Sequence, residues 1–202
     1  MADRDRPGAF SAEVHILFNG YVKDGATPEA SRVASTVAFV RDGDVHVIID
    51  PGMVPDPQAI LEPLAALGES PETITDVIFS HHHPDHTLNA ALFPRARFHD
   101  IWAIYQGDNW ENRAAEGYEL SPSIRLIETP GHTPQDITTL VGTPDGVVAF
   151  THLWWFASGP VDDPLATDLA ALHHNRERVL RVATRIVPGH GAPFTPAEST
   201  PR

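Results

Sequence analysis

The sequence predicts an α+β fold in which two β-sheets pack face to face with helices on the outside. Many short apolar runs, several of them β-branched, recur through both halves and are separated by turn signals. Helical spacing of apolar residues is clear only at 58–67 and 168–183. A sheet must bury one face against another layer, so this order of elements favours two stacked sheets covered by a few helices.

Apolar runs predict strands at 14–18, 35–40, 45–49, 77–79, 97–99, 124–128, 136–141, 147–150 and 186–187. The pair at 35–49 is a hairpin, because Arg41-Asp42-Gly43-Asp44 is a turn signal. We expect the polar segment 21–32 to be a loop. Gly68 ends the first helix, which Pro63 either kinks or delays.

Residues 87–92 predict a short helix, and 101–105 predict an apolar helical turn. The polar segment 107–119 is either a flap or a loop covering its own aromatic residues. The 202 residues predict one domain spanning 1–202, with a flexible arm at 1–12 and a tail at 192–202.

Composition excludes several classes of function. The chain has no cysteine, which rules out disulfides, thiolate metal sites and cysteine nucleophiles. A net charge of −13 argues against a nucleic-acid partner, which basic side chains normally bind. Residues 1–8 lack an apolar signal-peptide region, and no run approaches the roughly 18 apolar residues of a membrane helix. We therefore expect a cytoplasmic protein with no membrane partner.

The segment Ser80-His81-His82-His83-Pro84-Asp85-His86 follows a predicted buried strand. Side chains alternate along a strand, so His81 and His83 point the same way and can meet one metal ion. Asp85 and His86 turn towards a second position. The alternative is a solvated histidine-rich loop, but the strand-then-helix setting and the ligand candidates later in the chain favour metal.

Two later turns, Pro130-Gly131-His132 and Pro188-Gly189-His190, also follow apolar strands. One such turn is an ordinary feature, but two of them after the histidine cluster predict a shared site. Without cysteine the ligands are imidazole and carboxylate. This donor set suits zinc, with one or two ions per chain, and less selectively iron or manganese.

The chain resembles the metallo-β-lactamase superfamily in five segments that occur in the family's order. They are Ile48-Ile49-Asp50-Pro51-Gly52, the cluster 80–86, Thr129-Pro130-Gly131-His132-Thr133-Pro134, the segment 150–154, and Val187-Pro188-Gly189-His190-Gly191. The ending 188–194 is similar to that of the small single-domain metallo-β-lactamase domain-containing proteins.

The resemblance implies a four-layered αββα sandwich with the metal site at one edge of the sheets. It implies that three histidines bind the first ion: His81, His83 and His132. The second ion would be bound by Asp85, His86 and His190. Asp50 would be an outer carboxylate that steadies the ligand loops.

One departure concerns the second ion. Many dinuclear members have a Gly-Asp pair whose carboxylate bridges both metals, whereas this chain has Thr151-His152. A neutral histidine offers one acceptor nitrogen, so His152 is a terminal ligand, an outer donor, or a sign of a single-metal site. Asp162 or Asp163 is an alternative source of the carboxylate. Counting Asp85 as the one negative ligand, we expect an electropositive site that binds its second ion weakly or favours anions.

The leading functional hypothesis is a metal-dependent hydrolase that activates water with zinc and acts on an ester, lactone, thioester or amide-type small molecule. Asp85 would be its catalytic residue, orienting the nucleophile and moving its proton. The alternative is a metal- or ligand-binding protein of the same fold with little or no catalysis, because His152 replaces the bridging Asp. A redox metalloprotein ranks lowest.

The remaining aromatic and histidine side chains have structural interpretations as well. Four aromatic residues either line a cleft or pack beneath loops: Tyr21, Trp110, Trp154 and Trp155. The other histidines are expected to be structural: His15, His46, His82, His99, His173 and His174. The oligomeric state and the substrate stay open.

Overall fold

The computed structural model describes residues 11–27 and 29–202. In chain order the strands are β1 Glu13–Phe18, β2 Tyr21–Asp24, β3 Ser31–Ala34, β4 Val37–Asp42, β5 Val45–Ile49, β6 Asp76–Ile78, β7 Arg97–His99, β8 Ala103–Gln106, β9 Asn109–Asn112, β10 Glu119–Ser121, β11 Ile124–Glu128, β12 Ile137–Thr143, β13 Gly146–Thr151 and β14 Arg185–Pro188. The helices are α1 Gln58–Ala66, α2 Pro84–Thr87 and α3 Leu169–Leu180, with a 3₁₀ turn at Ala90–Leu92.

The strands form a seven-stranded sheet, a five-stranded sheet and a separate two-stranded hairpin. The order is β1-β4-β5-β6-β7-β8-β9 in the first sheet and β10-β11-β12-β13-β14 in the second, while β2 pairs with β3. Most neighbours are antiparallel. The exceptions are β5-β6, β6-β7 and β13-β14, which are parallel.

Alternation of side chains divides the core into layers. Val47 and Ile49 of β5 belong to the cluster between the sheets, whereas Ile48 faces the other way and packs with Leu64 of α1. On the far side, Leu172 of α3 packs with residues of the five-stranded sheet. The layers are therefore helix, sheet, sheet and helix, which confirms the predicted αββα sandwich.

Parallel strands bring the predicted ligand segments together. The carboxyl ends of parallel neighbours lie at the same edge of a sheet. Asp50 follows β5 and the histidine cluster follows β6, while His152 follows β13 and His190 follows β14. All four segments therefore emerge at one edge of the sandwich.

Several predicted elements are confirmed. The hairpin β4–β5 turns at Gly43, whose φ of +61° suits glycine. Helix α1 begins at Gln58 despite Pro63, and Asp168 caps α3 by accepting a 2.9 Å bond from the Ala171 amide.

Four segments differ from the local predictions. Residues 21–32, expected as a loop, supply the hairpin β2–β3, and 101–105, expected as a helical turn, supply β8. The segment 107–119, expected as a flap or as a loop covering its own aromatic residues, contains β9, which forms a hairpin with β8 and leaves Trp110 exposed. The short helix expected at 87–92 is divided into α2, which begins earlier, and the 3₁₀ turn.

Both predicted chain-end segments make packing contacts where the structure describes them. Residues 1–10 of the predicted arm lie outside the described residues, but Ala12 is buried and its amide bonds to the Gly142 carbonyl. The expected tail at 192–202 is packed: Phe194 pairs with Ile186, and Trp154 Nε1 donates to the Pro201 carbonyl at 2.8 Å. Within 11–27 and 29–202 no helix is long and apolar enough to cross a membrane.

Candidate metal centre

Six histidines and Asp85 converge where the strand ends meet. Five of the histidines are buried, at 4% exposure or less: His81, His86, His132, His152 and His190. His83 is exposed and faces the outside of the cluster. A buried group of imidazoles is stable only when the ring nitrogens have partners, so the contacts of each nitrogen decide what the cluster can hold.

The first predicted position is a set of three facing nitrogens. His83 Nδ1 lies 3.0 Å from His81 Nε2 and 3.1 Å from His132 Nε2. Three imidazole nitrogens this close, directed at one another, match the donors that zinc uses in three-histidine sites. The residues therefore fit the first ion that the sequence implies.

The second position combines a carboxylate with imidazoles. Asp85 Oδ2 lies 3.4 Å from His86 Nε2 and 3.6 Å from His190 Nε2. His86 Nε2 is buried and has no hydrogen-bond partner among the described residues. An orphaned buried nitrogen that faces a carboxylate and a second imidazole fits a metal ligand.

His152 lies between the two positions. Its Nε2 is 3.1 Å from His190 Nε2, and its ring centroid is 4.1 Å from that of His132 and 4.5 Å from that of His81. It can form a metal-binding group with either His81 and His132 or with His86 and His190. His152 therefore lies where a group that bridges two ions would lie. It offers an imidazole nitrogen there, whereas the Asp of the dinuclear members offers two carboxylate oxygens.

The position of the His152 ring depends on Gly189. A Cβ on residue 189 would lie 2.4 Å from His152 Cδ2, so only glycine leaves room for the imidazole. His152 Nδ1 is buried and has no partner in the described part of the chain.

The other buried ligand candidates have an outer contact that fixes the ring. His81 Nδ1 lies 3.1 Å from Ser80 Oγ, and His190 Nδ1 donates to the Ala34 carbonyl at 3.0 Å. His86 Nδ1 lies 2.8 Å from Asp50 Oδ2, and the other oxygen of Asp50 accepts the Ser80 amide at 2.7 Å. Asp50 thus lies where the resemblance implies an outer carboxylate. Such contacts orient a ligand and set which nitrogen carries the proton.

Asp163 is the outer partner of His132. Its Oδ2 lies 2.8 Å from His132 Nδ1 and accepts the Trp155 indole at 2.9 Å. Sequence reasoning proposed Asp163 as a replacement for the bridging carboxylate, but its contact is with the outer nitrogen of His132. Arg176, fully buried, holds this loop by donating to the backbone carbonyls of residues 153, 160 and 161.

Electrostatics keep most of the cluster neutral. Burial lowers the pKa of His81 and His152 well below the ordinary range, and it lowers that of His190 to about 4. Burial also opposes the charged form of His86, but the adjacent Asp50 carboxylate outweighs it and raises the pKa of His86. Neutral imidazoles are the form that binds a metal ion.

A cavity of about 300 Å³ opens onto the cluster. Its lining consists of Val22, Ser31, Val33, His83, Asp85, His132, His152, Trp155, Leu165 and His190. Sequence reasoning missed Val22 and Val33, because the hairpin β2–β3 was taken for a loop, and it missed Leu165, which lies in the loop before α3. The alternation in Tyr21-Val22-Lys23 and Arg32-Val33-Ala34 was the available signal.

Of the four aromatic residues considered from the sequence, one lines the cavity and the other three pack elsewhere. Trp155 lines the cavity, whereas Trp154 is fully buried in the core beside α3. Trp110 stacks on Tyr105 across the β8–β9 hairpin, and Tyr21 lies on the hairpin β2–β3 beneath Lys23.

Five of the histidines expected to be structural have acidic partners away from the cluster: His15, His46, His82, His99 and His173. His82 turns away, with its Nε2 3.2 Å from Asp100, and His99 Nε2 lies 2.7 Å from Asp76.

Comparison with known proteins assigns the family. The family model for the metallo-β-lactamase superfamily matches residues 30–162. The chain is 32% identical over 189 residues to metallo-β-lactamase domain-containing protein 1 of Xenopus laevis, covering 90% of this chain and 80% of that protein.

Solved structures agree on the fold. A crystal structure from Thermotoga maritima, assigned to the metallo-β-lactamases, superimposes with a TM-score of 0.73 at 22% identity, covering 92% of this chain and all of the other. An N-acyl homoserine lactone hydrolase with product bound at its catalytic metal centre has a TM-score of 0.64 at 16% identity, covering 91% and 94%. With its fold, its five motif segments and these matches, the chain belongs to the metallo-β-lactamase superfamily.

Proposed function

We propose that this protein is a metal-dependent hydrolase with zinc as its metal, one or two ions per chain. Its substrate is a small molecule with an ester, lactone, thioester or amide bond. The observation that carries this proposal is the group formed by His81 Nε2, His83 Nδ1 and His132 Nε2. The His83 nitrogen lies 3.0 Å from the His81 nitrogen and 3.1 Å from the His132 nitrogen. His83 and His132 also line the cavity. The lactone hydrolase of the same fold supports a carbonyl substrate.

A bound zinc ion supplies a Lewis acid and lowers the pKa of a coordinated water towards neutrality. The residues of the chain do the rest. Asp85 lines the cavity, so its carboxylate is placed to orient the attacking water and to accept its proton. Trp155, Val22 and Val33 give the cavity apolar walls, and a substrate seated against them would displace water from the site and strengthen the electrostatic interactions there.

The direct test compares two neighbouring histidines. His83→Ala removes the nitrogen that contacts both His81 and His132 in the first metal position. His82→Ala removes an imidazole that points away from this position towards Asp100. Zinc content and hydrolysis of p-nitrophenyl butyrate and a simple lactone are measured for both. We expect the first variant to lose roughly 100-fold or more in activity and the second to stay near wild type. Full activity in His83→Ala would overturn the proposal.

One observation favours a second candidate, a metal- or ligand-binding protein with little catalysis. His152 places an imidazole between the positions, and its one acceptor nitrogen cannot bridge two ions as the two oxygens of a carboxylate can. One tightly held zinc with no water-accessible position, together with no hydrolysis of either substrate class, would favour this candidate. A cytoplasmic location and the lack of a nucleic-acid partner remain predictions.

A further inference from the structure

We propose that the cavity selects substrates whose non-reacting part is uncharged and apolar, and that the hairpin β2–β3 is the wall that makes this selection. The inference rests on the proposed function, because it names the substrate class of the same site.

The register of the hairpin decides which side chains face the cavity. Val22 pairs with Val33, and both line the cavity. The next pair, Lys23 and Arg32, lies on the opposite face because side chains alternate along each strand. Their charged ends lie 4.6 and 5.8 Å from the centre of the Tyr21 ring, which belongs to that outer face. A shift of one residue would exchange the two valines for two cations.

Backbone bonds hold the hairpin against the metal ligands. The Ser35 amide donates to the Asp85 carbonyl at 3.2 Å, and the Thr36 amide donates to the Gly189 carbonyl at 2.8 Å. Together with the bond from His190 Nδ1 to Ala34, these contacts fix the base of β3 to both ligand loops. These bonds therefore fix the position of the hairpin, and its apolar face stays directed at the metal ligands.

Charge around the site disfavours an anionic substrate tail. No Lys or Arg belongs to the cavity lining in the part of the chain that the structure describes. Three carboxylates contact the ligand histidines: Asp85 in the lining, and Asp50 and Asp163 behind it. The sequence-based expectation of an electropositive site counted Asp85 alone. The three carboxylates more than balance one divalent ion and leave two divalent ions with a net charge of only about +1. A carboxylate on the substrate tail, which lies away from the metal positions, would therefore lose hydration without gaining a Lys or Arg partner.

The test uses two ligands that share a metal-binding group. Hexanohydroxamic acid and adipic acid monohydroxamate differ by a terminal carboxylate in place of a methyl group. Binding of each to the zinc-loaded protein is measured by calorimetry. We expect the neutral compound to bind roughly tenfold or more tightly than the anionic one. Equal binding, or tighter binding of the anionic compound, would overturn the inference.

Two variants place the same charge inside and outside the cavity. Val33→Lys puts a cation in the lining, and we expect it to bring the two affinities within about threefold or to reverse their order. Thr27→Lys adds the charge at the exposed hairpin tip and should leave the ratio unchanged. If Val33→Lys fails to fold, its cross-strand neighbour Val22→Lys makes the same test. An equal change of ratio in Thr27→Lys would contradict a role for the cavity face.

Hydrolysis of a matched ester pair separates this inference from the proposed function. The pair is p-nitrophenyl butyrate and mono-p-nitrophenyl succinate. If the hydroxamate ratio is as expected but neither ester is hydrolysed, the proposed function fails and the selectivity of the cavity stands. If both esters are hydrolysed with equal kcat/KM, the function stands and the inference is overturned.

Discussion

Asp163→Asn tests how the protein fixes the first metal position from outside it. The Asp163 carboxylate holds His132 with Nδ1 as the proton-bearing nitrogen, so that Nε2 presents its lone pair 3.1 Å from His83 Nδ1. The same oxygen accepts the Trp155 indole, so two groups depend on it. Asparagine removes the charge and provides one acceptor oxygen instead of two.

The expected size of the effect follows from this contact. Loss of an outer carboxylate typically weakens metal binding by about 10–100-fold, or roughly 1.4–2.7 kcal/mol. The hydrogen bond between His132 Nδ1 and Asp163 Oδ2 is short, at 2.8 Å, and both residues are buried. Because water has little access to take the place of the carboxylate, we expect an effect in the upper part of this range.

The assay is a zinc titration in competition with a chromophoric chelator. The matched control is Asp162→Asn, because Asp162 is exposed and pairs with His173 rather than with a ligand. We expect the control to keep its zinc Kd within about twofold. Thermal unfolding of the metal-free proteins checks that both variants fold alike. A wild-type zinc Kd in Asp163→Asn, or an equal loss in the control, would show that the Asp163 carboxylate does not hold His132 for metal binding.

Three further predictions concern stability and the second position. Burial raises the pKa of Asp136 to about 6, so the native state binds this proton more tightly than the unfolded chain does. The free energy of unfolding should therefore fall by about 2–3 kcal/mol as pH rises from about 4 to about 6. Asp136→Asn should remove that fall in urea unfolding curves, and an unchanged pH profile would contradict the assignment. Gly189→Ala should displace His152 and abolish the weaker zinc step in calorimetry; two intact steps would show that the ring has room to move. Leu64→Ala should cost about 2–5 kcal/mol in urea unfolding, because the side chain is fully buried between α1 and the sheet, and a cost below 1 kcal/mol would contradict that packing.

The sequence predicted most of what alternation and helical spacing determine. The β4–β5 hairpin, α1, α3 and the strands before His81, His132 and His190 all rest on local patterns, and all are present. The meeting of these histidines at one edge was expected from the family resemblance. Strand direction explains it within each sheet: β5 and β6 are parallel, and β11 runs in the same direction as β13 and β14 because β12 is antiparallel to both β11 and β13.

The rest depended on contacts between residues distant in the sequence. Val22 and Val33 face the cavity because of a register that a polar, glycine-containing segment does not reveal. The direction of Asp163 is set by a loop that Arg176 holds from α3, so its spacing from His132 carried no signal. The misread segment 101–105 is a strand because it pairs with β9 across a turn at Gly107, where φ is +60°.

We expect the histidine cluster to bind zinc at two unequal positions, with His152 as a ligand of the second. The measurement is zinc calorimetry on chelator-stripped protein, with wild type beside His132→Ala and His152→Ala. Wild type should show a tight and a weaker binding step, with the tight step lost in His132→Ala and only the weaker step lost in His152→Ala. No zinc binding by wild type, or two unchanged steps in both variants, would show that the cluster does not bind metal in this way.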